Sequence, residues 1–401
     1  MLGKAIAGHE NTARAPHAIS RSRGDPMRPR IEVGAPGGIM PPFEKVVQQA
    51  QRAEAKGYDA VWWPCHLMGW HPQAIWKPEI TPLAATQPNA DTYFDPVATI
   101  AAVGAHTTRI RLGIGVTDVI RRHPAMLAQA ALTLDHITRG RVILGLGSGE
   151  RLNITPYGLD FSEPVSRLEE GLVIIRRLWE SGGRPVEFTG RFWRLESAVL
   201  GLPPYEGRFP PIWIAAHGPR MLRLTGRYAD GWLPTKMTPS EYREKLAHIR
   251  HAAREAGRDP EAITPGMLAY VLVDEDRAAV SRMMDAILVR ALCLLLPAEV
   301  FTRFGYDPPF GPKASGFHDY IPARFGYEEA MSAIRKVPRE IVAYFTLHGT
   351  PEEIAGQIHD LAEAGLRHIV LWNITPFADP ARTRASFQAL DRVRDLVSGD
   401  A

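Results

Sequence analysis

From residue 31 onward the chain alternates short strand-like apolar runs with amphipathic helical stretches, and this rhythm restricts the fold more than any other feature. Strand candidates occupy 31–34, 59–63, 110–116, 212–216, 231–233, 267–273 and 368–372, with one more in the run that opens at Arg141. Helical stretches occupy 42–56, 96–105, 124–138, 163–180, 219–229, 239–256 and 380–397. Their boundaries are chemical: Pro124 suits a first helical turn, Gly57, Gly140 and Gly365 suit stops, and Thr350-Pro351-Glu352-Glu353 spells a capping box. Within 124–138, Met126, Ala130, Leu134 and Ile137 stand at helical spacing. Eight strand candidates, each followed by a helix or by an insertion of helical pattern, predict an α/β fold. A closed (β/α)8 TIM barrel is favoured over its rival, an open doubly wound sheet.

On this reading residues 30–401 form one barrel domain with insertions at about 182–211 and 274–342. The second insertion carries Met283, Met284, Leu288, Leu292, Leu295 and Leu296, a content that suits core, a subunit contact permitting a homodimer, or a roof over the barrel mouth. Residues 1–29 place Lys4, Arg14, Arg21, Arg23 and Arg28 among small and polar residues and read as a disordered basic tail. Met27, directly before Arg-Pro-Arg and the first strand-like run, is a candidate natural start.

Charge and cysteine usage narrow the function classes. The 47 basic and 44 acidic side chains are interspersed and leave a net charge of +3, which offers no broad footprint to nucleic acid or a membrane, although Arg121-Arg122 is a candidate anion site. The longest apolar run, 286–296, is broken by Arg290 and is too short to be a transmembrane segment. Cys65 and Cys293 show neither metal nor redox spacing, which suits a reducing cytoplasm, and no His, Asp and Glu spacing matches a metal trap.

A barrel takes its ligand groups from the C-terminal ends of its strands. That rule selects Cys65, His66 and Trp70 after the second strand, Gly115 to Thr117 after the third, Ser148 to Glu150 after the fourth, and Ala215 to Arg220 after the fifth. The fourth run ends Gly145-Leu-Gly147-Ser-Gly149-Glu150, which is G-x-G-x-G and not the dinucleotide pattern G-x-G-x-x-G, and Glu150 would repel a pyrophosphate. A tight turn after a core strand would need no ligand at all. Taken together, small residues at three strand ends suit a flat polycyclic ring, His66 and Glu150 are proton-transfer groups, and Trp70 is an apolar wall. Backbone amides near Pro219 could hold a phosphate. A hydrolase reading of Cys65 beside His66 is poor, because sequence neighbours need not face each other.

These strand ends, Gly-Leu-Gly-Ser-Gly-Glu150, Trp213-Ile-Ala-Ala-His-Gly-Pro219 and the pair His66 and Trp70, resemble the bacterial luciferase-like superfamily in its branch dependent on the deazaflavin coenzyme F420. The blocks beginning at His123, Leu202 and Gly218 resemble phthiodiolone ketoreductase-type enzymes, and the likeness covers about residues 31–395. The resemblance implies a TIM barrel with the F420 ring at its mouth and hydride moving to or from C5, on a small-molecule or lipid carbonyl. It implies that His66 contacts the substrate oxygen, that Glu150 assists proton balance and that Trp70 walls the reacting carbon. Cofactor contacts would fall to Cys65, Gly115, Val116, Ser148, Gly149, Ala215, Ala216, His217 and Gly218, with a non-prolyl cis peptide at Gly115–Val116. Relatives usually carry an acidic residue just before the histidine; here it is Cys65. An FMN-dependent monooxygenase and a non-catalytic flavin or deazaflavin binder are the alternatives.

Overall fold

The computed structural model describes residues 30–399, so the expectations for residues 1–29, the tail and Met27 included, lie outside the described residues. Eight parallel strands form the ring: β1 (Glu32–Pro36), β2 (Ala60–Trp63), β3 (Arg111–Ile114), β4 (Val142–Gly147), β5 (Ile212–Ile214), β6 (Gly231–Trp232), β7 (Thr264–Val273) and β8 (His368–Asn373). Each pairs with the next, and β8 returns to β1 with Glu32 opposite His368, which closes the barrel. All eight coincide with runs expected from the sequence. β4 is buried along its whole length, as a strand covered on both faces must be.

The barrel interior is filled by aromatic rings that neighbouring glycines make room for. Trp62, Trp213 and His368 meet with ring centroids 5.1–5.7 Å apart, and Trp62 donates Nε1–H to His368 Nε2 at 3.1 Å. A Cβ on Gly113 would lie 2.3 Å from the Trp62 indole, and one on Gly231 2.3 Å from that of Trp213. His368 in turn contacts Glu32, which pairs with Arg111 at 2.5 Å. The mouth above this floor is what remains open.

Two details depart from the periodicity. Helix Pro124–Thr138 buries Leu127, Ala128, Ala131, Leu132 and Leu134, whereas Met126 is 61% exposed and Ile137 39% exposed. Apolar residues lie on more than one side of this helix, and packing against helices Pro96–Ala105 and Pro164–Glu180 and against β4 selects which side is covered. Strand Thr346–Gly349, unforeseen as a strand, pairs parallel to the upper half of β7, from Tyr270 opposite Thr346 to Val273 opposite Gly349. β7 has ten residues and its ring neighbour β6 only two, so the upper edge of β7 would otherwise stand unpaired.

The stretch expected as the first insertion contains an antiparallel hairpin, Val186–Thr189 with Arg194–Ala198. The second holds helices Arg277–Met283, Ile287–Leu292, Ala298–Arg303, Tyr327–Arg335 and Arg339–Phe345. These build a separate apolar cluster around Leu288, Leu292, Leu295, Phe301 and Phe345, joined by Tyr270 and Leu272 from β7 and by Ile75 and Trp76 from the loop after β2. The insertion is thereby welded to the C-terminal end of the barrel.

Candidate active site

The strand ends meet over the barrel axis in an open-mouthed cavity of about 1030 Å³, mouth included. β2 runs into Pro64-Cys65-His66; proline lacks the N–H that would continue the ladder, and the chain breaks away there. Cys65 is buried, and His66 lines the cavity with its side chain 7% exposed. His66 Nε2 stands 3.5 Å from Glu150 Oε2. Trp70 meets the imidazole edge-on at a centroid distance of 5.0 Å, and Tyr93 stacks on it at 5.4 Å.

β4 delivers Gly147, Ser148, Gly149 and Glu150 to the same space. A Cβ at Gly147 would come within 2.9 Å of Val116 Cγ2, so glycine keeps this wall flat. Gly149 has φ +91°, a left-handed conformation that a side chain would oppose. The chain then enters a 3₁₀ turn, Arg151–Asn153, and Asn153 Nδ2 lies 3.1 Å from Glu150 Oε2. β3 leads to Gly115–Val116, whose peptide bond is cis, and both residues line the cavity. Thr117 and Asp118 follow and pair with Leu146 and Gly147.

Beyond β5, Ala215 and His217 line the cavity, while Ala216 and Gly218 do not. Ala216 is 1% exposed within the main apolar cluster, and its carbonyl accepts from Trp232 Nε1 at 2.9 Å. Gly218 is exposed and caps helix Pro219–Tyr228, with nothing within 4 Å of where a Cβ would sit. His217 Nε2 accepts from the Thr235 N–H at 3.2 Å. Arg121 pairs with the buried Asp118 at 2.5 Å and Arg122 with Asp95, so both cations of the candidate anion site already face carboxylates.

Several groups were not anticipated. Asn153 and Asp118 follow closely on Glu150 and Val116, and that proximity to a strand end was the signal available. Tyr93, Tyr270, Phe317 and His318 come from the loop after β2, from β7 and from the long insertion, where no local pattern marks them. Burial, aided by neighbouring carboxylates, raises the phenols of Tyr93, behind His66, and of Tyr270, at the cavity wall, so both stay protonated. Two buried polar atoms in that wall, Trp70 Nε1 and Thr117 Oγ1, have no hydrogen-bond partner. Among the described residues no group of three or more His, Cys, Asp or Glu converges as a metal would require.

The sequence matches the family model for luciferase-like monooxygenase over residues 21–368. It is 39% identical over 337 residues to a phthiodiolone/phenolphthiodiolone dimycocerosates ketoreductase of Mycobacterium tuberculosis (strain ATCC 25618 / H37Rv), covering 83% of this chain and 88% of that relative. It is 36% identical over 240 residues to an F420-dependent hydroxymycolic acid dehydrogenase of the same strain, covering 59% of this chain and 61% of that one. Among solved structures, an F420-dependent secondary alcohol dehydrogenase in complex with an F420-acetone adduct matches with a TM-score of 0.68 at 23% identity, covering 91% of this chain and 100% of that chain. At that identity the likeness concerns the fold.

Proposed function

The chain belongs to the luciferase-like monooxygenase family, and on that premise we propose that it is a coenzyme F420-dependent oxidoreductase interconverting a carbonyl and a secondary alcohol. The observation that carries the reading is the pair His66 and Glu150, 3.5 Å apart in a cavity at the strand ends with a glycine wall. Relatives named as a ketoreductase and an F420-dependent dehydrogenase support the reaction class.

The residues present fit a deazaflavin. Gly147 leaves a flat wall that a Cβ would crowd, Val116 and Ala215 add apolar surface, and the unpartnered Thr117 Oγ1 and Trp70 Nε1 offer hydrogen bonds to a polar ring edge. Gly115, Val116, Ser148, Gly149, Ala215 and His217 would hold the ring and its nearer polar groups, with Cys65 beside them. Gly218, at the open start of helix Pro219–Tyr228, would serve a phosphate through its backbone, and Ala216 would shape the turn from behind.

When bound, the coenzyme supplies or accepts a hydride at C5 of its ring. His66 gives a proton to the substrate oxygen during reduction and takes it back during oxidation. Glu150 exchanges that proton with the imidazole, and Trp70 confines the reacting carbon. Leu268, Tyr270, Phe317 and Trp372 give the rest of the mouth an apolar character suited to a long apolar or lipid ketone. Two free, buried cysteines among the described residues are consistent with a reducing cytoplasm, and no described helix is long and apolar enough to cross a membrane.

The test is to offer the purified chain F420 and FMN in competition, then to follow loss of reduced-F420 absorbance with candidate ketones. Retention of F420 and ketone-dependent oxidation of its reduced form are expected. No F420 binding at micromolar concentration, or retention of FMN with oxygen consumption, would sink the reading.

A further inference from the structure

Nδ1 of His66 has two neighbours that ask opposite things of it. The Met68 carbonyl oxygen, 2.9 Å away, needs a proton on Nδ1, whereas the Asn153 amide nitrogen, 3.0 Å away, needs a bare Nδ1 to donate to. The Asn153 amide itself is oriented unambiguously. Its oxygen accepts from the N–H of Leu67 at 2.7 Å and of Met68 at 2.9 Å, and the flipped amide would set donors against donors. The nitrogen already has an acceptor in Glu150 Oε2 at 3.1 Å. At 1% exposure, Asn153 has little access to water that could replace these partners.

We propose that Asn153 is a positioning residue that selects the working nitrogen of His66. By holding the two peptide N–H groups of Leu67 and Met68, it sets the Met68 carbonyl against Nδ1 and keeps the ring's permanent proton there. Nε2 is left to exchange a proton with the substrate oxygen, beside Glu150 at 3.5 Å. Proton balance separates the two arrangements. With Nδ1–H held by Met68, reduction breaks Nε2–H of an imidazolium and forms the alcohol O–H while the hydride forms C–H, and oxidation reverses both changes. With Nδ1 accepting from Asn153, the neutral ring carries its only proton on Nε2, and losing it would leave an imidazolate beside the Glu150 carboxylate.

The effect on turnover rests on the oxidoreductase reading; the tautomer does not, so the two can fail separately. Long-range proton–nitrogen correlation spectra of the full chain with labelled histidine, His66 being identified by its loss in His66→Gln, read the tautomer without cofactor. The neutral wild-type ring is expected as Nδ1–H. Asn153→Ala, checked for folding by circular dichroism, is expected to move to Nε2–H. Asn153→Asp, which keeps an oxygen for both backbone donors and puts a second acceptor oxygen where Nδ2 stood, 3.0 Å from Nδ1, is expected to show Nδ1–H. A wild-type Nε2–H ring, or an unchanged tautomer in folded Asn153→Ala, overturns the proposal; if that variant does not fold, Nε2–H in Asn153→Asp overturns it. Turnover with F420 should fall on the order of a hundredfold in Asn153→Ala and recover in part in Asn153→Asp, with little change in F420 affinity. Failure to bind F420 would end the functional reading and leave the tautomer result standing.

Discussion

Gly145 and Gly147 show how one missing Cβ serves different ends two residues apart. A Cβ on Gly145 would lie 1.8 Å from the backbone oxygen of Ile114, so glycine there is a condition for β3 and β4 to pack. At Gly147 the obstacle is only the Val116 side chain, at the cavity wall. Gly145→Ala should therefore cost at least about 1–3 kcal/mol of stability by urea denaturation, and Gly147→Ala should stay folded and lose affinity for F420 by fluorescence titration. His66→Gln should lower turnover by about 10²–10⁴ while F420 binding changes little, measured by stopped-flow absorbance and titration; an equal loss of binding would argue against a proton-transfer role. His66, Trp70 and Glu150 were legible because strand ends in a barrel point at one place. Asn153 was not, because its importance lies in contacts with the loop after β2, which is distant in sequence, rather than in its type.

At the scale of elements, the join between the barrel and its long insertion carries a titratable group. His71, in the loop after β2, donates Nε2–H to the Leu288 carbonyl at 2.9 Å. Burial lowers its pKa from the ordinary 6.5 to about 4, so the folded protein holds it neutral where the unfolded chain begins to protonate it. The sign follows: this histidine has no pH effect above about 6.5, and stability is lost as pH falls from about 6.5 to about 4. His71→Gln, which can still donate to Leu288, should flatten the decline of the melting temperature over that window, as scanning calorimetry would show. A decline as steep as in the wild type would contradict the assignment. Strand and helix positions were readable from period and punctuation, as Pro124 and the Thr350 capping box illustrate. The buried face of helix Pro124–Thr138 was not, because Met126 and Leu127 are equally apolar and only the neighbouring elements decide between them.

For the whole molecule, the insertion reaches back over the mouth. Arg151 donates Nε–H to the His318 carbonyl at 2.7 Å, and Phe317 and His318 line the cavity. If this apolar rim receives the substrate chain, ketones of rising length should gain about fourfold in kcat/KM per buried methylene until the rim is filled, from about 0.8 kcal/mol for each. A flat series would place the chain outside the rim. The sequence by itself determined the eight alternating strand and helix units and favoured a closed ring over an open sheet, because eight apolar runs separated by helices have few ways to bury both faces of each strand; the pairing of the last strand with the first settled it. It also determined which strand ends meet, with Gly-x-Gly-Ser-Gly-Glu150 as the clearest of them. Only the tertiary structure decided that Glu150 stands 3.5 Å from His66, that Asn153 ties Glu150 to the loop carrying His66, and that the long insertion brings Phe317 and His318 to the mouth. Periodicity reports which side of an element is apolar, whereas distances between side chains on different elements depend on how those elements pack.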